Sequence, residues 1–354
     1  MNLVTIVRLR PERIISVKLF NWRLVMYTRC FSGNNNDGNN ENNSATMMRH
    51  LLVHQSNRRK FKTTKLDKNI ISYLDSINVG NIRSKKSKNA ARNRREWILE
   101  DKRKFQNPKL KTFMRAKIHL IKRCSEVDDF PPNNSTPEVA LVGRSNCGKS
   151  TLLNSLLGIG PARSKESHGQ RRVSPAAVSE KPGETRSLAF YQVHLPLPRN
   201  LSFTLVDMPG YGFAFAKEED KMAWHKMMMS YLQTRPALQH LCLLLDSRHG
   251  IKQADRDFLG TLFGTASETS SGVGALPSIH LIFTKGDLVS REDLARQMKL
   301  ATEEMEFIFS SNGTNKSPAM PLSVFASSAK KQHGISNLQD QVIRLISMKD
   351  GSLQ

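Results

Sequence analysis

From residue 138 onward, short apolar runs alternate with stretches of helical spacing. The runs "EVALVG", "SLAFYQVHL", "LSFTLVD", "LQHLCLLLD", "SIHLIFT" and "LSVFASS" are nearly continuous in aliphatic and aromatic residues, the pattern of strands covered on both faces. Residues 149–157, 217–234, 253–263, 290–309 and 335–347 carry helical spacing, and "SRED" at Ser290 is a capping-box variant that opens its helix. Strands alternating with helices predict an α/β domain with a mostly parallel six-stranded sheet and helices on both faces. Loops 158–180, 264–278 and 311–319 are long, and the last two, rich in Ser, Gly and Asn, read as surface insertions.

The pattern is weaker upstream. "LKTFMRAKIHLIKRC", 110–124, has apolar residues at either strand or helix spacing, and "DFPPNNSTP" reads as a connector. Residues 56–111 form a basic extension with one expected helix, "NAARNRREWILEDKRKF", anchored by Trp97, Ile98 and Leu99; no fold is assigned to the rest. An Asn-rich linker at 34–55 is too polar to bury anything. The division is therefore 1–33, 34–55, 56–111 and a folded domain at 112–350.

Charge sharpens this division. Of 354 residues, the first 125 hold 29 Lys/Arg against 8 Asp/Glu, a balance of +21, while the remainder hold 25 against 23. Runs such as "RRKFKTTK" and "RSKKSKNAARNRR" attract polyanions, nucleic acid first among them; the alternative is a solvated tail. They carry few large apolar residues, which argues against membrane insertion. Residues 1–33 interleave basic with aliphatic and aromatic residues and contain one acid, Glu12. That fits a mitochondrial transit peptide and a matrix location, with an ordinary basic amphipathic N-terminus as the alternative. Cys30, Cys124, Cys147 and Cys242 are far apart and match neither a zinc spacing nor a disulfide framework.

The candidate chemistry begins at "GRSNCGKST", Gly143–Thr151, which follows the first strand and opens a helix. This is GxxxxGK[ST] in the context the motif requires. Backbone N–H groups of Gly143, Arg144, Ser145, Asn146, Cys147, Gly148 and Thr151 are expected to cradle phosphate, Lys149 to bridge the β- and γ-phosphates, and Ser150 to offer a hydroxyl to Mg²⁺. Asp207 ends the third strand within "DMPG", Asp207, Met208, Pro209 and Gly210, where an acid holds Mg²⁺ and the glycine sets an N–H near the γ-phosphate. In "TKGD", Thr284, Lys285, Gly286 and Asp287, the carboxylate can accept both the N1–H and the N2–H₂ donors of guanine; adenine has no such pair. "SSAK", Ser327, Ser328, Ala329 and Lys330, can bring N–H groups to the guanine O6.

These residues, with "PEVALVGRSNCGKSTLLNSL", "KPGETR", "DMPGYGFA", "LLDSRHGIKQADRDFL" and "SSAKKQHG" in that order, make 112–350 resemble an EngB/YsxC-type GTPase of the translation-factor class. The resemblance implies a G domain, GTP and GDP with Mg²⁺, GTP hydrolysis, and a role in assembly of the large ribosomal subunit. With the basic extension and the leader it implies a monomer acting with other assembly factors on the immature mitochondrial large subunit, its rRNA included. By the same resemblance Pro182, Gly183, Glu184 and Thr185 are switch I, with Thr185 on Mg²⁺ and γ-phosphate. Glu184 departs from the family, where a basic or small residue is common, and the segment before it is longer. Asn146 either holds a K⁺ ion against the phosphates, as related GTPases with this P-loop can, or only stabilises the loop.

Ras-like GTPases place a water-orienting glutamine after the equivalent of Gly210; here it is Tyr211. Tyr211 is expected to turn away from the phosphates, leaving catalysis to Lys149, Thr185 and Gly210 and making unaided hydrolysis slow. Two other readings share this site: a catalytically idle scaffold that binds rRNA, and a GTPase partnered with an RNA-modifying enzyme.

Overall fold

The computed structural model describes residues 57–82, 113, 116–133, 136–158, 187–196, 200–211, 218–268, 276–311 and 322–347. The expected leader, Asn-rich linker and helix at 89–105 lie outside these residues. The chain divides into two compact units, Met1–Lys65 and Leu66–Gln354. In the first, helix α1 (Asn57–Thr63) is closed by hydroxyls: Thr63 Oγ1 donates to the Arg59 carbonyl at 2.9 Å and Thr64 Oγ1 to that of Lys60 at 2.7 Å.

The second unit contains, in chain order, α2 (Lys68–Ser76), β1 (Lys117–Cys124), β2 (Glu138–Gly143), α3 (Lys149–Leu156), β3 (Leu188–Leu195), β4 (Leu201–Asp207), α4 (Glu218–Thr234), β5 (Leu238–Asp246), α5 (Gln253–Glu268), β6 (Ser278–Thr284), α6 (Arg291–Ser311), β7 (Ser323–Ala326) and α7 (Ile335–Ser347). The strands form one sheet in the order β1-β3-β4-β2-β5-β6-β7. Strand β2 pairs in parallel with β4 and β5, and the parallel set continues through β6 and β7; β3 runs antiparallel to β4 and to β1.

The sheet thus has seven strands rather than the six expected. The seventh, β1, comes from the ambiguous run at 110–124, and from Lys117 to Arg123 it is exposed or half-exposed. Its ladder to β3 holds it, with no buried face to betray it in sequence, and its Lys and Arg side chains suit an edge strand that must not recruit another chain.

Central strands alternate between two cores. Val139 and Leu141 of β2 face a layer formed by Leu152, Leu153 and Leu156 of α3 and Leu338 and Ile346 of α7. Ala140 and Val142 face the opposite layer, with Met228 of α4, Phe258 of α5 and Leu294 of α6. At the N-terminal end of β2, buried Glu138 accepts from Arg235 Nη2 at 2.6 Å and from the Tyr231 hydroxyl at 2.8 Å, so its charge is paired where it is desolvated.

The folded unit also starts earlier than residue 112. Asp67 caps α2, accepting from the N–H groups of Asn69 at 2.7 Å and Ile70 at 3.3 Å. Leu74 and Val79 are fully buried in the same core as Leu294 and Ala326. Residues of the basic extension therefore belong to the domain itself. Among the described residues no helix is long and apolar enough to cross a membrane.

Candidate functional site

Parallel strands bring their C-terminal ends to one edge, and the crevice outside that edge is where open α/β sheets bind ligands. Gly143, Asp207, Asp246, Thr284 and Ala326 end β2, β4, β5, β6 and β7 there. After Gly143 the chain turns sharply, with Asn146 at φ 59° and Gly148 at φ 99°. Both residue types tolerate the left-handed region. A Cβ on Gly143 would lie 2.8 Å from the Leu244 carbonyl oxygen, so no larger residue fits. Gly148 caps α3 without a side-chain acceptor. The first-turn N–H groups therefore face the loop, the arrangement by which a helix N-terminus takes an anion.

Lys149 is 7% exposed and its Nζ pairs with Oδ1 of Asp207, which is 2% exposed. The cation expected on phosphate and the acid expected near the metal thus converge between β2 and β4. Ser150, half-buried in the first turn of α3, adds a hydroxyl. A hydroxyl and a carboxylate are hard oxygen donors of the type Mg²⁺ selects, so this pair fits the ion. The other expected metal residue, Thr185, lies outside the described residues with Pro182, Gly183 and Glu184.

The phosphate loop is tied to the segment after β4. Ser145 N–H donates to the Tyr211 carbonyl at 3.1 Å, and Tyr211 N–H to that of Gly143 at 3.3 Å. Gly210 passes so close that a Cβ would lie 2.9 Å from Ser145 N. Tyr211 then turns away: its ring stacks on Phe258 with centroids 4.7 Å apart, and its hydroxyl donates to Asp255 Oδ1 at 2.6 Å. Burial, with the Asp255 carboxylate, holds this hydroxyl protonated far above the usual range. Arg144 donates from Nε to the same carboxylate at 3.1 Å and from Nη2 to the Gly250 carbonyl at 3.1 Å.

Two of the N–H groups expected in the phosphate cradle, those of Ser145 and Cys147, are engaged by backbone carbonyls. Arg144 is an anchor to α5, Ser145 N–H is engaged by Tyr211, and Cys147 N–H donates to the Arg144 carbonyl at 3.1 Å. Buried Cys147 also accepts at its carbonyl from Thr284 Oγ1, and burial raises its thiol to about 11.

On the other side, Lys285 sits at φ 56°, and its Nζ donates to the Asn146 carbonyl and meets Asp246 Oδ2 at 3.1 Å. Burial pushes the Asp246 carboxyl up, but hydrogen bonds from Arg248 and Lys285 outweigh it and hold the group far below the usual carboxylate range. Asp287 lies in the turn Gly286–Leu288 and accepts from Ser328 Oγ at 2.6 Å. Of the N–H groups expected on the base, Ser327 donates to Phe283 at 2.7 Å and Ser328 to His333 at 2.9 Å. Thr284 Oγ1 links β6 to the phosphate loop through the Cys147 carbonyl.

Asp246 and Asp255 are absent from the residues sequence reasoning singled out. Asp246 had a signal: it ends β5 as Asp207 ends β4. Asp255 had none, because its partners Arg144 and Tyr211 lie far away in sequence.

Residues 138–270 match a family model described as 50S ribosome-binding GTPase. The probable GTP-binding protein EngB of Rhodospirillum rubrum is 32% identical over 228 residues, 64% of this chain and 84% of that protein. That of Rhodopseudomonas palustris strain BisA53 is 33% identical over 221 residues, 62% and 85% of the two chains. A crystal structure of a probable GTP-binding protein engB is 18% identical, with a TM-score of 0.38, over 60% of this chain and 100% of that one.

Proposed function

The chain belongs to the EngB family of GTP-binding proteins, and on that premise we propose that it is a GTPase assisting maturation of the large subunit of the mitochondrial ribosome. The observation that carries the reading is the convergence of two sites on one sheet edge. Lys149 and Asp207 stand at the phosphate end, and Asp287, oriented by Ser328, stands at the base end.

In this reading Asp287 accepts from N1–H and N2–H₂ of guanine, Ala329 N–H meets O6, and Lys285 lies along the base. Lys149 and the first-turn N–H groups of α3 stabilise charge that spreads over the β- and γ-phosphates as the bond to the leaving phosphate breaks. Gly210 N–H adds to this at the γ-phosphate. Mg²⁺, held by Ser150 and Thr185 with Asp207 nearby, supplies further positive charge to the phosphates when bound. Asn146 remains the residue proposed for K⁺. Tyr211, anchored on Phe258 and Asp255, does not take the place of the water-orienting glutamine, so unaided hydrolysis is slow. The loop after β4 then serves to report the nucleotide to a ribosomal partner.

The 50S association of the matched family model and the +21 balance of the first 125 residues support an rRNA-rich partner. The basic, nearly acid-free composition of residues 1–33 supports the mitochondrial matrix. The test is to purify the tagged protein from isolated mitochondria with GDP or with a non-hydrolysable GTP analogue and to sequence the RNA. Large-subunit rRNA enriched in one nucleotide state is expected. Small-subunit RNA or tRNA alone would overturn the reading, and equal recovery in both states would favour the idle scaffold.

A further inference from the structure

The stretch Asp67 to Asn81 packs against the loops assigned above to the guanine base. Val79 is fully buried. A Cβ on Gly286 would lie 2.3 Å from Val79 Cγ1, and one on Gly334 would lie 3.1 Å from Val79 Cγ2. One valine therefore wedges between the loop after β6 and the loop after β7, each with glycine where a methyl group would collide.

Asn81 makes the neighbouring rung. Its N–H donates to the Val289 carbonyl at 2.7 Å, its carbonyl accepts from Arg291 N–H at 3.0 Å, and its side-chain amide donates to the backbone carbonyl of Asp287 at 2.7 Å. Arg291 gathers the same stretch from the other side: Nε donates to the Val79 carbonyl at 3.0 Å, Nη2 to Asn78 Oδ1 at 3.2 Å, and Nη1 pairs with Asp75. The Tyr73 hydroxyl accepts from Ala326 N–H at 3.4 Å, where β7 enters its loop.

The turn carrying Asp287 has little burial of its own. Gly286 is its buried residue, and Leu288 is 51% exposed. A carboxylate that must meet two donors on a flat base needs its backbone held to a fraction of an ångström. Ser328 fixes the Asp287 side chain from one side, and Asn81 fixes its backbone from the other.

We propose that Val79 and Asn81 are positioning residues for guanine recognition, so that selection of the base depends on a segment N-terminal to the sheet. The proposal rests on the assignment of Asp287 to the guanine edge. The probes are GDP and inosine diphosphate, which lacks the 2-amino group, with the full-length chain as wild type, Asn81→Ala and Val79→Ala, and thermal melting recorded for each. Asn81 is exposed, so its alanine variant keeps the core.

The expected result is a loss of roughly three- to tenfold in GDP affinity for Asn81→Ala, the scale of one neutral hydrogen bond, with a smaller loss for inosine diphosphate. In an Asp287→Ala background the same change should add nothing. A folded Asn81→Ala with wild-type affinity and selectivity would overturn the proposal, as would equal losses for both nucleotides. If Val79→Ala does not fold, Asn81→Ala decides. Failure of the wild type to prefer GDP over ADP would instead overturn the assignment of Asp287.

Discussion

The hydroxyl of Tyr211 donates to Asp255 at 2.6 Å, and Arg144 reaches the same carboxylate at 3.0 Å. A residue one step beyond Gly210 is thereby a strut between the phosphate loop and α5. Tyr211→Phe should cost about 1.5–3 kcal/mol, one hydrogen bond to a buried charge. Tyr211→Ala, which also loses the stack on Phe258, should cost about 3–5 kcal/mol. Denaturant midpoints with single-turnover GTP hydrolysis check both, and nucleotide affinity and unaided hydrolysis in Tyr211→Phe should stay near wild type. Loss of most hydrolysis with binding intact would return Tyr211 to catalysis.

The two ends of the site should fail differently. Lys149→Ala removes the cation beside Asp207 and leaves that acid buried and unpaired, so binding of every nucleoside triphosphate should fall by at least about tenfold, the loss of one charge-assisted hydrogen bond. Asp287→Asn keeps the shape of the side chain but reverses the donor pattern of its edge. It should weaken GTP and admit xanthosine triphosphate, whose 2-oxo group accepts where guanine donates. Titration with GTP, ATP and xanthosine triphosphate separates the cases, and tight ATP binding by the wild type would remove the guanine assignment.

What the sequence made legible divides along physical lines. The central strands and the phosphate loop announced themselves, because strands buried on both faces read as unbroken apolar runs and the loop's motif is contiguous from Gly143 to Ser150. Ser290 also behaved as its capping pattern predicts, with Oγ accepting from Asp293 N–H at 3.1 Å. Strand β1 was hidden by its exposure. The segment around Val79 was hidden by its setting: Ile70, Ile71, Leu74 and Ile77 follow helical spacing behind the cap Asp67, but they are few within a basic stretch whose charge dominated the reading. The networks at Arg144, Ser145 and Ser327 could not be read at all, since their partners Asp255, Tyr211 and Phe283 lie far away in sequence.

A buried histidine pair should set the acid limit of stability. His240 Nε2 lies 3.3 Å from the Leu345 carbonyl and its Nδ1 lies 3.2 Å from His280 Nε2. With His240 donating to that carbonyl, His280 must donate to His240, and its own Nδ1 is left without a partner among the described residues. Burial, helped by the facing His240, holds His280 down to about 3. A base depressed in the folded state contributes stability that is complete above its ordinary value near 6.5 and is lost as pH falls toward 3. Over that window one proton taken up on unfolding tilts stability by up to about 1.4 kcal/mol per pH unit. Urea midpoints from about pH 7 to 4 should fall less steeply for His280→Phe than for wild type, and parallel curves would exclude His280 as the source.

The basic extension offers a prediction that the structure changes in form. On charge alone, deleting 56–108 is the natural experiment. That deletion would also remove Leu74 and Val79 from the core and Asn81 from the backbone of Asp287, so a loss of RNA association would say nothing about charge. Replacing the ten Lys and Arg of 83–108 with Gln keeps Leu74, Val79 and Asn81 in the chain and removes the positive groups. Phosphates neutralised by Lys and Arg release counterions, so the slope of log affinity against log salt tracks the number of phosphates neutralised. The substituted protein should keep wild-type GDP affinity while its affinity for rRNA, measured between about 50 and 200 mM KCl, falls and its salt slope flattens by about 0.7–0.9 for each phosphate that is no longer neutralised. An unchanged slope would make 83–108 a passive connector and move RNA recognition onto the folded unit, where the exposed Lys117, Lys122 and Arg123 of β1 would be the next residues to neutralise.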